Sequence, residues 1–159
     1  QSIIFIDLTK PSTVKRLWIL NSQTLEIIHH DYVAHGRHSG LINATSFSNR
    51  SGSNMSSEGV YQIGAFYHGK HGISIQLNGL EKNFNDNALN RKIVIHEAYY
   101  VSPSFITKHG HLGRSLGCPA VSAKTMEFIK KTIHPGDILV IYTENTGWIK
   151  LSNYLKHSG

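Results

Sequence analysis

The chain has one cysteine, Cys118, in 159 residues. A lone cysteine has no partner within the chain, so no internal disulfide framework supports the fold, and a zinc site built from several cysteines is excluded. Cys118 is then a small buried hydrophobe, an intermolecular partner or a reactive thiol. Long apolar runs are also missing: nothing approaches the eighteen or so residues of a spanning helix, so stable membrane insertion is not expected. The opening "QSIIFIDLTK" has neither the charged start nor the long apolar run of a signal peptide. Acidic residues are scarce, with 10 Asp and Glu against 16 Lys and Arg, a net charge of +6. That balance favours anionic surroundings. The basic residues never run longer than two, as at Lys15-Arg16, Arg91-Lys92 and Lys130-Lys131, which describes a solvated basic surface and no nucleic-acid partner. The phosphate loop G-x-x-x-x-G-K-[ST] and the zinc-peptidase motif H-E-x-x-H are both absent.

What is present is the material of one domain, residues 1–159, long enough to bury roughly two-thirds of the surface its unfolded form exposes. Short β-rich runs dominate, at 2–8, 16–20, 25–30, 60–66, 72–77, 92–97 and 138–143, each bounded by turn residues. Their spacing predicts a mainly β domain. The stretch 43–59, "NATSFSNRSGSNMSSEG", is too polar to supply a core and reads as a long exposed loop. One segment has a helical period: after Ser122 as N-cap, Met126, Ile129 and Ile133 share a face and "HPGD" ends it.

Cysteine catalysis of acyl transfer needs a nucleophilic sulfur, a base for its proton and donors for the oxyanion. Cys118 lies just before the predicted helix, whose positive end would favour the thiolate if it points at the sulfur. Full ionisation of an ordinary thiol gains at most about 30-fold at pH 7, or ~2 kcal/mol, whereas a single oxyanion donor is worth ~2.7 to 4 kcal/mol. Pro119 has no N–H, which leaves the backbone N–H groups of Leu116, Gly117 and Cys118 as donors. Gly117 suits a sharp turn or a close substrate approach. Eleven histidines compete as base, at 29, 30, 35, 38, 68, 71, 96, 109, 111, 134 and 157. His96 stands apart because it ends the apolar strand "IVI", on the same side as Val94. The rival chemistry is zinc, through "HGRH" (35–38), "HGKH" (68–71) and "HGH" (109–111).

The segment "GRSLGCP" (113–119), preceded by "NRKIVIHEAYYVS" (90–102), resembles the murein L,D-transpeptidases with a YkuD-type catalytic domain, in the branch marked by GRSxGCP. "FIDLTKPSTVKRLWIL", "VAHGRHSG", "ATSFSN" and "SSEGVYQIG" extend the likeness over nearly the whole chain in the expected order. The resemblance implies a mainly β, YkuD-like β-sandwich with one principal α-helix after the catalytic cysteine. It makes Cys118 the nucleophile and His96 the general base, with Ser115, Leu116 and Gly117 in the nucleophile loop and oxyanion site. Tyr61, in "SSEGVYQIG", falls on a strand close to the active site and is expected to contact substrate. The implied partners are peptidoglycan stem peptides, donor and acceptor, and no metal or cofactor is implied. The implied location is periplasmic or otherwise in the bacterial envelope, with any signal peptide removed before Gln1.

Three departures from the family pattern bear on the chemistry. Leu116 replaces a histidine that many members carry two residues before the nucleophile, which leaves His96 as the base. Ala120 replaces an arginine, so Arg114 becomes the cation expected to meet a substrate carboxylate, with a surface salt bridge as its alternative. Glu97 stands where relatives have the glycine whose carbonyl orients the imidazole. Its carbonyl can still serve unless the position demands φ > 0, which would strain a glutamate.

Overall fold

The computed structural model describes residues 1–156. Among them eight strands form one sheet. In chain order these are β1 (Ser2–Asp7), β2 (Leu17–Asn21), β3 (Ile27–Asp31), β4 (Gly59–Gly69), β5 (Gly72–Gly79), β6 (Val94–Glu97), β7 (Ala120–Val121) and β8 (Ile138–Tyr142), and in space they run β3-β2-β1-β8-β4-β5-β6-β7. Alternation decides the faces: Ile4 and Ile6 of β1, Leu17 and Ile19 of β2 and Leu139 and Ile141 of β8 point into the core. A register shift between Ile63 and Phe66 marks a bulge in β4, a device that bends a sheet. Side chains from both halves, such as Ile4 and Ile19 on one side and Ile75 and Ile95 on the other, meet in a single core cluster. The two facing layers are therefore halves of one curled sheet.

The chain leaving β3 returns to the opposite edge of that sheet. Ala34 bridges to Ala120 of β7, and Gly36 bridges to Ser115. This brings residues 34–37 against the segment that carries Cys118, and a buried pair holds them there. The Arg16 guanidinium, fully buried, donates through Nε and Nη2 to the Val33 carbonyl (3.0 and 2.7 Å) and through Nη1 to that of Lys10 (2.9 Å). Its Nη2 also donates to His35 Nδ1 at 2.8 Å. A guanidinium has only donors, so His35 Nδ1 accepts and its Nε2–H donates to the Gly40 carbonyl at 2.8 Å. Burial, then the neighbouring Arg16 charge, pushes His35 down to about 4, and burial lowers Arg16 to about 9. At neutral pH the pair is one cation and one neutral ring.

Three helices lie among the described residues: α1 (Pro103–His109), α2 (Ala123–Thr132) and α3 (Thr146–Leu151). The helix expected after Cys118 is α2, capped as predicted by Ser122 Oγ, which accepts from the Thr125 N–H. α1 has its own signals, Ser102 as N-cap, Pro103 at its first turn and Gly110 left-handed at its end. None of these helices is long and apolar enough to cross a membrane.

Candidate active site

Residues 113–119 form a loop whose shape is fixed from several sides. The Ser115 N–H donates to the His35 carbonyl at 3.0 Å, and the Arg37 N–H donates back to the Ser115 carbonyl at 2.8 Å. Ser115 Oγ donates to the Cys118 carbonyl at 2.5 Å and accepts from the Gly117 N–H at 3.1 Å, closing the turn on itself. Gly117 has φ +126°, and a Cβ there would sit 2.8 Å from the Met55 carbonyl oxygen and 3.0 Å from Arg91 Nη2. Only glycine fits. Of the three expected oxyanion donors, the Gly117 N–H is thus already engaged by Ser115. The Leu116 and Cys118 N–H groups have no hydrogen-bond partner among the described residues.

The Cys118 thiol is half-buried and packs against the main core cluster. Its sulfur accepts from the Val94 N–H at 3.4 Å, and the Lys92 carbonyl lies 3.8 Å away. Lys92 sits at φ +56°, a left-handed conformation that costs a non-glycine residue on the order of 1 kcal/mol. The lowering of the thiol that would follow if the helix pointed at the sulfur is not found. Burial raises the Cys118 thiol above its ordinary value, and the Val94 N–H and the Arg91 charge offset this only in part. The physical reason lies in α2: strand β7 separates it from Cys118, and its first turn is already served by Asp31, which accepts from Ser122 Oγ at 3.2 Å and Thr125 Oγ1 at 2.7 Å.

His96 occupies the end of β6, opposite Ser74 of β5 and Ala120 of β7, and its backbone N–H donates to the Pro119 carbonyl at 3.4 Å. His96 and the loop 113–119 are therefore adjacent along one backbone ladder, although among the described residues the imidazole is not a hydrogen-bond partner of the sulfur. Nδ1 lies 2.9 Å from the Glu97 carbonyl oxygen and so carries the proton, which leaves the Nε2 lone pair free. This is the orienting role expected of the Glu97 carbonyl. Glu97 is not among the residues with positive φ, so the feared strain is absent. Burial lowers the His96 pKa, the Glu97 carbonyl opposes this and a charge on His71 adds to it. His71, at the tip of the β4–β5 hairpin, stacks on His96 with ring centroids 4.6 Å apart at 24°.

Other expectations fare differently. Tyr61 is wholly buried, and its hydroxyl sits 2.7 Å from both Oγ and the carbonyl oxygen of Ser57, so the expected substrate contact is replaced by a core role beneath the site. Arg114 is exposed and donates to the Arg37 carbonyl at 2.9 Å, and it forms no salt bridge among the described residues. Leu116 is 63% exposed, an apolar side chain at the lip of the loop. The stretch 43–59 is no free loop: Ser56, Ser57 and Glu58 are buried, and Asn49 is clasped by Asp86 and Asn87. The histidine pairs do not converge. His35 faces Arg16, His38 Nδ1 donates to the Ser53 carbonyl at 3.0 Å and His111 Nδ1 to that of Leu112 at 2.6 Å. Among the described residues no three His, Cys, Asp or Glu side chains gather as a metal site, and His157 lies outside them.

Sequence reasoning missed two neighbours of Cys118. Arg91 donates to the carbonyls of Ser48 (2.9 Å) and Met55 (2.7 Å) and to Ser53 Oγ (3.1 Å), locking the 43–59 stretch beside Gly117. Tyr100 covers Gly113, and its phenol is pushed up to about 12 by burial and, next, by the Cys118 charge. The Arg91 contacts join residues 36 to 43 positions apart, so no local pattern announces them.

A family model for the L,D-transpeptidase catalytic domain matches residues 1–142. The chain belongs to that family. No curated protein matches it. Among solved structures, an L,D-transpeptidase from Mycobacterium smegmatis shares 10% identity at TM-score 0.53, over 89% of this chain and 58% of that one. An L,D-transpeptidase from Stackebrandtia nassauensis shares 13% at TM-score 0.55, over 92% and 57%. The L,D-transpeptidase LdtMt1, solved with imipenem, shares 10% at TM-score 0.53, over 89% and 58%. At such identities the likeness establishes the fold, and the chain spans under two-thirds of each of these structures. The L,D-transpeptidase fold is thus the frame in which Cys118 and His96 are held.

Proposed function

We propose that this L,D-transpeptidase domain transfers acyl groups between peptidoglycan stem peptides, with Cys118 as nucleophile and His96 as general base. The observation that carries the reading is the fixed imidazole: Nδ1 is tied to the Glu97 carbonyl, and Nε2 is free on the strand adjoining the nucleophile loop. With the thiol raised and the imidazole lowered, the resting pair is neutral on both sides. The proton therefore moves during attack rather than before it.

In the first step Sγ attacks the carbonyl carbon of the diamino acid in a tetrapeptide stem as its proton passes to His96 Nε2. The oxyanion is met by the free N–H groups of Leu116 and Cys118, each such donor being worth ~2.7 to 4 kcal/mol. The C–N bond breaks, and D-alanine leaves with the proton returned by His96. An amine of a neighbouring stem then attacks the thioester, gives its proton to His96 and regenerates the thiol, leaving a crosslink between two third residues. Water in place of the amine gives carboxypeptidase activity at the same site, and a D-amino acid gives exchange. The substrate places the site in the bacterial envelope. Incubation with purified tetrapeptide muropeptides, read by mass spectrometry, tests the reading. Crosslinked dimers or tripeptides with released D-alanine support it, and unchanged tetrapeptide alongside a Cys118 that a carbapenem cannot acylate refutes it.

A further inference from the structure

The acidic residues are absent from two particular places. No Asp or Glu occurs between Asp31 and Glu58, or between Glu97 and Glu127. These two segments hold Arg37, Arg50, Lys108, Arg114 and Lys124, five charges of the net +6. The fold joins them at the nucleophile loop, through the bridges Ala34 to Ala120 and Gly36 to Ser115.

Arg114 lies on that loop and Arg37 beside it, both exposed, with Arg114 Nη1 2.9 Å from the Arg37 carbonyl oxygen and the Arg37 N–H on the Ser115 carbonyl. Arg91 adds a half-buried guanidinium beside Gly117, and Arg50 an exposed one in the stretch Arg91 locks. The described partners of Arg91 and Arg114 are carbonyls and a hydroxyl, and the salt bridges among the described residues, His29 with Asp31 and Lys130 with Glu127, lie elsewhere. The carboxylates that approach this region are spoken for or turned away: Asp86 accepts from Asn49 and Asn83, and Glu97 Oε1 lies toward Gly72. A rim of arginines without counter-charges attracts carboxylates and can grip them through paired N–H donors, which a neutral carboxamide cannot match.

Resting on the acyl-transfer reading above, we propose that this rim selects stem peptides whose side carboxylates are free over stems in which they are amidated. Arg37 and Arg114 are the principal selecting residues. The contacts are solvent-exposed, so the preference is on the order of tenfold and weakens with salt.

The experiment measures equilibrium binding of one tetrapeptide muropeptide, in free-acid and amidated forms, to the Cys118→Ala protein at low salt and at about 0.5 M salt. The expected result is tighter binding of the free acid at low salt, with the gap closing at high salt and in the added Arg37→Gln, Arg114→Gln pair. Equal binding of the two forms at low salt overturns the proposal, as does a preference that persists in the arginine variant. Turnover of both forms by the unaltered protein is followed in parallel. A binding preference without D-alanine release sinks the acyl-transfer reading and leaves the rim standing; turnover with equal binding does the reverse.

Discussion

Two regions of the molecule bracket Cys118, and they handle charge in opposite ways. On the chain side after the cysteine, the first turn of α2 meets Asp31, and its dipole is satisfied within the fold. On the other side, the loop 113–119 carries Arg114 and packs beside Arg91 and Arg37, cations with no salt-bridge partner among the described residues. Electrostatic support for this thiol therefore comes from Arg91 and the Val94 N–H, while the helix contributes architecture.

The largest effects should come from the two residues proposed to react. His96→Ala is expected to lower kcat by 10²-fold or more with the fold intact by circular dichroism, since general-base assistance contributes about 10² to 10⁴. Gly117→Ala comes next. Its Cβ would collide with the Met55 carbonyl at a φ that disfavours side chains, so we expect a loss of about 1 to 3 kcal/mol in thermal unfolding together with a large drop in turnover. Arg91→Gln should shift the Cys118 titration further upward, and Arg91→Lys less so, as read by the pH dependence of alkylation; a shift of one unit cuts the thiolate about tenfold at neutral pH. An unchanged titration in Arg91→Gln would show that Arg91 gives the thiol no electrostatic support. The smallest effect on chemistry is expected from Asp31→Asn. It loosens the α2 cap by about 1 kcal/mol and lowers Tm by a few degrees, yet leaves the thiol titration where it was.

Much of the frame is legible in the sequence because it is local. Alternation in "SIIFID" and "RLWIL" gives strands and their buried faces, and Ser122 ahead of Met126 and Ile129 gives α2. The motif around Cys118 and the strand end at His96 mark the two residues proposed to react. The curl of the sheet is not legible, because it rests on bridges between residues more than seventy positions apart. The same holds for Arg91, whose partners lie about forty residues upstream, and for Tyr61, whose strand position says it is near the site while only packing says it faces inward. α1 is a different case: Ser102, Pro103 and Gly110 are sound end signals, but the seven residues between them carry no buried face to give a period.

If Cys118 and His96 rest as a neutral pair, the proton moves only as substrate is attacked. The pH dependence of Cys118 alkylation by iodoacetamide in the free protein tests it most directly, with His96→Ala as comparison. A neutral pair gives a rate that climbs through the alkaline range, with its midpoint above that of an ordinary thiol and no plateau near neutrality. A plateau at neutral or acidic pH that disappears in His96→Ala would reveal a preformed thiolate and imidazolium, and would contradict it.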